Sequence, residues 1–399
     1  MGYKTTLGDV SLDGGHYGIA APAVDFKPGL PAYLRITDIS DDGTLNPSDR
    51  KSVDDSSAGN YLLHEGDIVF ARTGNSTGRN YYYDPRDGEY AYAGFLIKFS
   101  LDLRKINPRY MKYYAQSKQY WDWVSSFNTG STRGNINAKT YASMPIDLPS
   151  RQIQDAIVAI CDAIDDKIRI NRQLNDYLLE LVSSVFAYRF SNNVNTTELK
   201  NVLSISTKAL KPQEHAGEIW EHYSIPAFDE NHRPVFEPAS GIKSNKYQID
   251  SECILISKLN PSTKRIWMPY CSSNNAVCST EFIVYRPYLK EYKSFYYAAI
   301  DSPRFTDYLL EHVSGSTGSR QRAQSKDTLN YLMPNPGKEE IKDFCTFADP
   351  IYRHIQINEQ QTAKLELLRD ALLPKLMSGE IDVSKVDLTQ LTNNHLTDC

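Results

Sequence analysis

Four polar stretches carry side chains that can hold phosphate oxygens and read the edges of bases. Arg72-Thr73-Gly74-Asn75-Ser76-Thr77-Gly78-Arg79-Asn80 follows the β-like run Asp67-Ile68-Val69-Phe70-Ala71. Thr129-Gly130-Ser131-Thr132-Arg133-Gly134-Asn135-Ile136-Asn137 is the second stretch. Lys258-Leu259-Asn260-Pro261-Ser262-Thr263-Lys264-Arg265 and Gly315-Ser316-Thr317-Gly318-Ser319-Arg320-Gln321-Arg322-Ala323-Gln324 repeat the theme later in the chain. Glycine permits tight turns and close backbone approach, and hydroxyls and amides beside it bond phosphate oxygens. Arginine offers a bidentate fork to guanine, and Asn or Gln pairs with adenine. The candidate DNA-binding residues are therefore Arg72, Thr73, Asn75, Arg79, Asn80, Ser131, Thr132, Arg133 and Asn135 in the first half. In the second they are Lys258, Lys264, Arg265, Ser316, Thr317, Arg320, Arg322 and Gln324. The plain alternative is an ordinary surface loop, and repetition in matching places weighs against it.

Other chemistry finds little footing. The stretch at 72–80 lacks the G-x-x-x-x-G-K-[ST] spacing of a phosphate-binding loop. An adenine methyltransferase needs an aromatic-flanked motif such as [DNS]-P-P-[YF]; Asn107-Pro108-Arg109-Tyr110 comes nearest and lacks the second proline. No paired-carboxylate-plus-lysine cluster of a nuclease stands out. The six cysteines, Cys161, Cys253, Cys271, Cys278, Cys345 and Cys399, form no C-x-x-C pair and read as reduced, mostly buried thiols. The histidines are scattered without metal spacing, so neither a metal nor a catalytic residue is expected. Tyr81-Tyr82-Tyr83 and Tyr110, Tyr113, Tyr114, Tyr120, Trp121 and Trp123 could stack on extruded bases, but helical spacing favours a core role.

The loops must be positioned by a duplicated framework. Leu7-Gly8-Asp9-Val10 recurs as Leu199-Lys200-Asn201-Val202, and Ile68-Val69-Phe70-Ala71-Arg72 as Ile254-Leu255-Ile256-Ser257-Lys258. Gly130-Ser131-Thr132 recurs as Gly315-Ser316-Thr317, and Met144-Pro145 as Met333-Pro334. The matches keep one order at offsets of 185 to 192 residues, which means a duplicated domain pair rather than a solenoid. Each half reads as a mixed region, a short helical stretch, a Gly/Ser/Thr loop, an extended piece ending in proline, and a long closing helix.

The closing helices carry heptad seams. Ile153, Ile157, Ile160, Ile164, Lys167, Asn171, Leu174, Leu178, Leu181 and Val185 step by alternating fours and threes over about 50 Å. Phe344, Phe347, Ile351, His354, Asn358, Gln361, Leu365, Leu368 and Leu372 do the same, with Pro350 expected to kink or delay that helix. Both seams turn polar in the middle, at Lys167 and Asn171 and at His354, Asn358 and Gln361, so antiparallel pairing would set polar against polar. Residues expected to pair the helices are Ile157, Ile164, Asn171, Leu178, Ile351, Asn358, Leu365 and Leu372.

The sequence therefore predicts an α+β protein with two similar globular domains joined by two long antiparallel helices in a coiled coil, with a pseudo-two-fold internal repeat. The expected boundaries are 1–150 for the first globule, 151–190 for the first helix, 191–337 for the second globule, 338–380 for the second helix, and 381–399 for a polar tail.

This plan resembles the specificity subunit of Type I restriction–modification systems. The likeness rests on Thr129 to Asn137, on Met144-Pro145-Ile146-Asp147-Leu148-Pro149, on Gln152-Ile153-Gln154-Asp155-Ala156-Ile157, and on Leu372-Leu373-Pro374-Lys375-Leu376-Met377-Ser378-Gly379-Glu380-Ile381. The second half departs from it: the arginine of Gly315 to Arg320 comes later, and Gly337-Lys338-Glu339-Glu340 replaces a glutamine-led helix start. The resemblance implies that each globule is a target-recognition domain reading half of a split site on double-stranded DNA. It implies that the helices are a spacer and a dock for two modification subunits, adenine methyltransferases, with restriction (translocase and endonuclease) subunits joining them in antiphage defence. No cofactor is implied in this chain; S-adenosylmethionine, ATP and Mg would reside in partner subunits. A 50 Å spacer would match one to one and a half turns of duplex.

Composition agrees with a globular chain: 399 residues, 41% hydrophobic and 23% charged. No apolar run nears the roughly 20 residues that span a bilayer, and Met1-Gly2-Tyr3-Lys4-Thr5-Thr6 reads neither as a secretory signal nor as more than a weak myristoylation match, so a cytoplasmic location is expected. Net charge is −5, yet the windows around Arg72 and Arg79, Arg133 and Lys139, Lys258 to Arg265, and Arg320 to Lys326 hold no acid. The alternatives are a stand-alone DNA methyltransferase or nuclease, which would act by itself, and a coiled-coil scaffold that does not bind DNA, which would enrich no sequence from a duplex pool.

Overall fold

The computed structural model describes residues 2–46, 49–127, 134–314 and 321–383. It divides into two units, Met1–Ile168 with Lys364–Cys399 and Arg169–Ala363.

In the first unit, strand Tyr3–Thr6 pairs antiparallel with Pro145–Leu148, closing the globular part just before a long helix, Arg151–Phe190, begins. One antiparallel sheet has the order His16–Tyr17, Leu96–Ser100, Asp67–Ala71, Asn80–Tyr82. A second has the order Ala23–Asp25, Lys51–Val53, Ala32–Leu34, Tyr90–Tyr92, its last pair parallel. The short helices Pro108–Tyr114, Lys118–Ser125 and Ala138–Ala142 cover the first sheet. Asp67–Ala71 is buried throughout because it separates two cores. Ile68 and Phe70 point into one with Tyr110, Tyr113, Tyr120 and Tyr141, and Val69 and Ala71 into the other with Leu34, Tyr81 and Tyr92. Side chains alternate across a strand, so a continuous apolar run is what two such cores require. The aromatic residues singled out above are thus core residues: Tyr81 to Tyr83, Tyr110, Tyr113, Tyr114 and Tyr120 are buried, and Trp121 and Trp123 pack on them.

The second unit repeats the scheme. Thr196–Glu198 pairs with Leu332–Pro334. One sheet runs Leu203–Ser206, Phe282–Pro287, Ile254–Ser257, Ile266–Trp267. The other runs Ala209–Leu210, Lys246–Gln248, Ala276–Ser279, Ile219–Tyr223, Val235–Pro238, again with one parallel pair. Ile254 and Ile256 face one core and Leu255 the other. Among the described residues, the helix Ile225–Asn231, capped by Ser224, has no counterpart in the first unit.

The second long helix spans Lys338–Met377 and continues through Pro350. The departure at Gly337 to Glu340 has a local reason: the Glu340 carboxylate accepts the Gly337 backbone N–H at 2.9 Å, tying off the helix start. Within each unit the segments of the two helices run antiparallel. In the first, Ile157, Ile160 and Cys161 share a core with Leu372, Leu373 and Leu376, and Arg369 reaches Asp165 at 3.6 Å. In the second, Asn171 donates to Gln361 at 3.0 Å, and Asn358 donates to Asn175 at 2.8 Å.

Ile157, Ile164, Asn171 and Asn358 are buried; Leu178 and Ile351 pack on the core of the second unit and Leu372 on that of the first, while Leu365 is half-buried. The seams need correction at their other positions. Leu174 and Leu181 are exposed, and Cys161, Ile168 and Val182 are buried instead. His354 and Leu368 are likewise exposed, while Ile355, Thr362 and Glu366 are buried. Each helix packs against a globule as well as its partner, so its apolar face is wider than a two-position seam and is centred one residue away. Lys167 is half-buried, and Asn175 takes a place in the polar layer. Ile381 packs on the first core and Val383 is buried in it, so ordered packing extends past the helix end into the stretch read as a tail.

Candidate nucleic-acid interface

In the first unit the strand Asp67–Ala71 delivers the chain to Arg72, and the loop that follows is pinned at both ends. Tyr141 donates its hydroxyl to Ala71 O at 2.9 Å, and Tyr120 donates to Gly78 O at 2.5 Å. Gly74 and Gly78 have φ of 75° and 93°. At Gly78 a Cβ would also lie 2.6 Å from Val124, so glycine serves there on two counts. The two polar stretches of the first half meet: Thr73 bridges to Asn135, Ile136 donates its N–H to Arg72 O at 2.9 Å, and Thr77 donates to Gly134 O at 3.0 Å.

The second unit repeats the backbone bonds of this frame. Leu259 bridges to Arg322, and Ala323 donates its N–H to Lys258 O at 2.9 Å. The Arg72 N–H donates to Phe95 O at 3.0 Å, and the Lys258 N–H to Glu281 O at 2.9 Å. Thr77 closes on Gly74 at 3.2 Å, and Thr263 on Asn260 at 2.9 Å, with Asn260 at a φ of 47° in place of the glycine. Arg72 thus corresponds to Lys258, and Asn135 to Arg322.

Several predicted contacts stand on this frame. Asn75 and Asn135 are exposed, and Arg72 and Thr73 half-buried. The Arg72 guanidinium lies 5.0 Å from the Tyr17 ring, and its buried Nε has no hydrogen-bond partner among the described residues. Stacking on an aromatic face holds the fork in one plane. In the second unit Arg322 and Gln324 are exposed and Lys258 half-buried.

Other residues do different work. Asn80 is buried, and its amide donates to Gly78 O and to Ala115 O at 3.2 and 2.9 Å, so it is internal scaffolding rather than a DNA contact. Arg79 Nε donates to Asp41 at 2.7 Å. Arg265 is its counterpart: a two-bond fork holds Asp229 at 2.6 and 2.9 Å, with only 12% of the arginine side chain exposed. Arg265 is therefore a latch between its loop and the helix Ile225–Asn231, not a free reader. Lys264 is engaged by Asp301 at 2.5 Å. Ser131, Thr132, Arg133, Ser316, Thr317 and Arg320 lie outside the described residues. Tyr17, Asp41 and Asp229 escaped the sequence reading because no local pattern ties them to loops tens of residues away.

Ionisable groups elsewhere have structural explanations. Burial pushes the Cys161 and Cys253 thiols up, to about 12 and about 11. Lys112 and Arg369 keep the Asp165 carboxyl below its ordinary value against the cost of burial. Among the described residues no group of three His, Cys, Asp or Glu could hold a metal, and no helix is long and apolar enough to cross a membrane.

Two units of one plan each present hydroxyl, amide and basic side chains on a tightly tied pair of loops, the side-chain chemistry that nucleic-acid surfaces use. Comparison with known proteins makes this specific. Residues 43–180 match the Type I restriction modification DNA specificity domain. The chain is 20% identical over 313 residues to the Type I restriction enzyme MjaIX specificity subunit of Methanocaldococcus jannaschii, covering 70% of this chain and 71% of that protein. In fold it is similar to the crystal structure of a Type I restriction–modification S subunit from M. genitalium, with a TM-score of 0.56 and 16% identity over 94% of this chain and 96% of that one. The chain is thus similar to specificity subunits of Type I restriction–modification systems, through the domain match over residues 43–180 and in fold over nearly its whole length.

Proposed function

We propose that the chain reads a bipartite target on double-stranded DNA, one half-site per unit, and docks the modification and restriction subunits that act there. The observation that carries this reading is the duplicated loop frame, in which Arg72 and Asn135 of one unit occupy the places of Lys258 and Arg322 in the other. Two equivalent sites in one chain suit two separated stretches of one duplex. In this reading Arg72, Thr73, Asn75 and Asn135, with Ser131, Thr132 and Arg133, contact the first half-site. Lys258, Arg322 and Gln324, with Ser316, Thr317 and Arg320, contact the second. Basic residues supply phosphate affinity, and the amides and guanidinium forks supply base choice.

The two continuous 40-residue helices set the gap between half-sites and offer the modification subunits their dock. S-adenosylmethionine, ATP and Mg belong to the partner subunits in this reading, and the assembly acts in the cytoplasm as antiphage defence.

Genome-wide adenine-methylation mapping in cells with and without the chain tests the proposal. A split motif that vanishes with the chain is the expected result, and an unchanged methylome would sink it. Lengthening both helices together by a few residues should change the preferred gap; an unaltered gap rejects the spacer role. Arg133→Ala and Arg320→Ala should each relax a different half-site.

A further inference from the structure

At one position of the frame shared by the two units an apolar ring stands in one unit and a carboxylate in the other. A tight turn joins the two sheets in each unit, and its third residue gives its carbonyl to the backbone N–H of the reading loop's first residue. In the first unit that residue is Phe95, bonded to Arg72 at 3.0 Å; in the second it is Glu281, bonded to Lys258 at 2.9 Å. The position is thus fixed relative to the loop by the same bond twice. Phe95 is 58% exposed, although the neighbouring Leu96 is fully buried. Glu281 instead receives the Arg322 fork, Nε and Nη2 lying 3.0 and 3.2 Å from its two carboxylate oxygens.

We infer that residues 95 and 281 are equivalent base-reading positions, Phe95 selecting a thymine and Glu281 together with Arg322 selecting a C·G pair. The assignment rests on the proposal that these loops form the DNA surface. A phenyl ring makes no hydrogen bond, and the one apolar feature on a base edge in the major groove is the thymine methyl group. A carboxylate only accepts, and a guanidinium only donates. Set side by side, they complement a C·G pair, whose groove edge offers the cytosine N4 amino donor beside the guanine O6 and N7 acceptors. The Glu281 carboxylate also aims the Arg322 fork, so the pair selects as a unit.

The test uses the full chain assembled with its modification subunits and a pool of randomised duplexes at fixed salt, with the bound fraction sequenced. The wild-type complex should enrich a split motif. Phe95→Ala should lose selectivity by roughly 5-fold or more at one T·A pair of one half-site. Replacing that thymine by uracil, which removes only the methyl, should weaken the wild type and leave Phe95→Ala unaffected. Glu281→Gln should lose a similar factor at one C·G pair of the other half-site. In each variant the untouched half-site reports on folding. If the wild type enriches a motif but Phe95→Ala or Glu281→Gln returns the same base preferences, the assignment at that position is overturned. If the wild type enriches nothing, it is the underlying DNA-reading proposal that fails.

Discussion

Asn358 donates its side-chain amide to the Asn175 side-chain oxygen at 2.8 Å, across the two long helices of the second unit. One turn along, Asn171 donates to Gln361, and Asn175 itself donates to the Ile355 carbonyl at 3.3 Å. In this amide layer the buried Asn171 and Asn358 both donate across the pair, which sets which residues of the two helices face each other, while Asn171 Oδ1 has no partner among the described residues.

Breaking that layer on one side should cost more than removing it. Asn358→Ala strands the Asn175 oxygen and should destabilise the second unit by about 1–3 kcal/mol. The double change Asn175→Leu with Asn358→Leu should cost less than the two single leucine changes added together, since no amide is left unpaired. Urea unfolding of all variants checks this; additive losses would show that the amides act separately.

Asn80 makes a second stability prediction, and one that separates scaffold from contact. Its amide ties Gly78 and Ala115 together while its oxygen accepts from Gln116 at 2.9 Å. Asn80→Ala should lower stability by about 1–3 kcal/mol. A fully stable variant with weakened DNA binding would return Asn80 to the list of contacts.

The Arg72 and Lys258 positions should govern affinity rather than stability. If each neutralises one phosphate, replacing it by alanine should flatten the dependence of log affinity on log salt by about 0.9. Fluorescence anisotropy over a salt series, with the modification subunits present, measures the slope. Identical slopes for wild type and both variants would remove phosphate contact from their role. Tyr17→Leu should weaken binding in the same direction as Arg72→Ala, because the ring planes the guanidinium.

His232 makes the second unit sensitive to acid. Its ring lies 4.3 Å from Phe228 and 5.6 Å from Trp267, and burial holds its imidazole down at about 4 against an ordinary 6.5. The folded pKa is depressed, so the stability owed to the neutral ring is complete above about pH 6.5 and is lost as pH falls towards 4. Because His232 has a φ of 52°, Asn is the replacement that tolerates the backbone. Denaturation midpoints at pH 7.5 and 5 should differ more in wild type than in His232→Asn. Equal differences would place the acid sensitivity elsewhere.

What could be read in advance, and what could not, separates cleanly by range along the chain. Ile68 to Ala71 and Ile254 to Ser257 were legible as strands because a doubly buried strand is apolar at every position. The duplication was legible because loops and strands recur in one order. The heptad seam was legible at Ile157, Ile164, Asn171 and Leu178, yet its companion positions fall at Cys161, Ile168, Asn175 and Val182, since the globules also claim a face of the helix. The loop residues were legible as a group, but not their sorting.

By itself the amino-acid sequence determined the two-fold plan, the helices, and the polar loops that follow the central strand of each half, because these depend on periodicity and turn chemistry within short windows. Only the tertiary structure decided that Arg265 is latched to Asp229 while Arg72 stacks on Tyr17, that Asn80 is turned inward, and that Phe95 and Glu281 hold one position. A side chain's availability to a ligand depends on which carboxylate, ring or carbonyl the fold brings beside it from tens of residues away, and no local pattern records that partner.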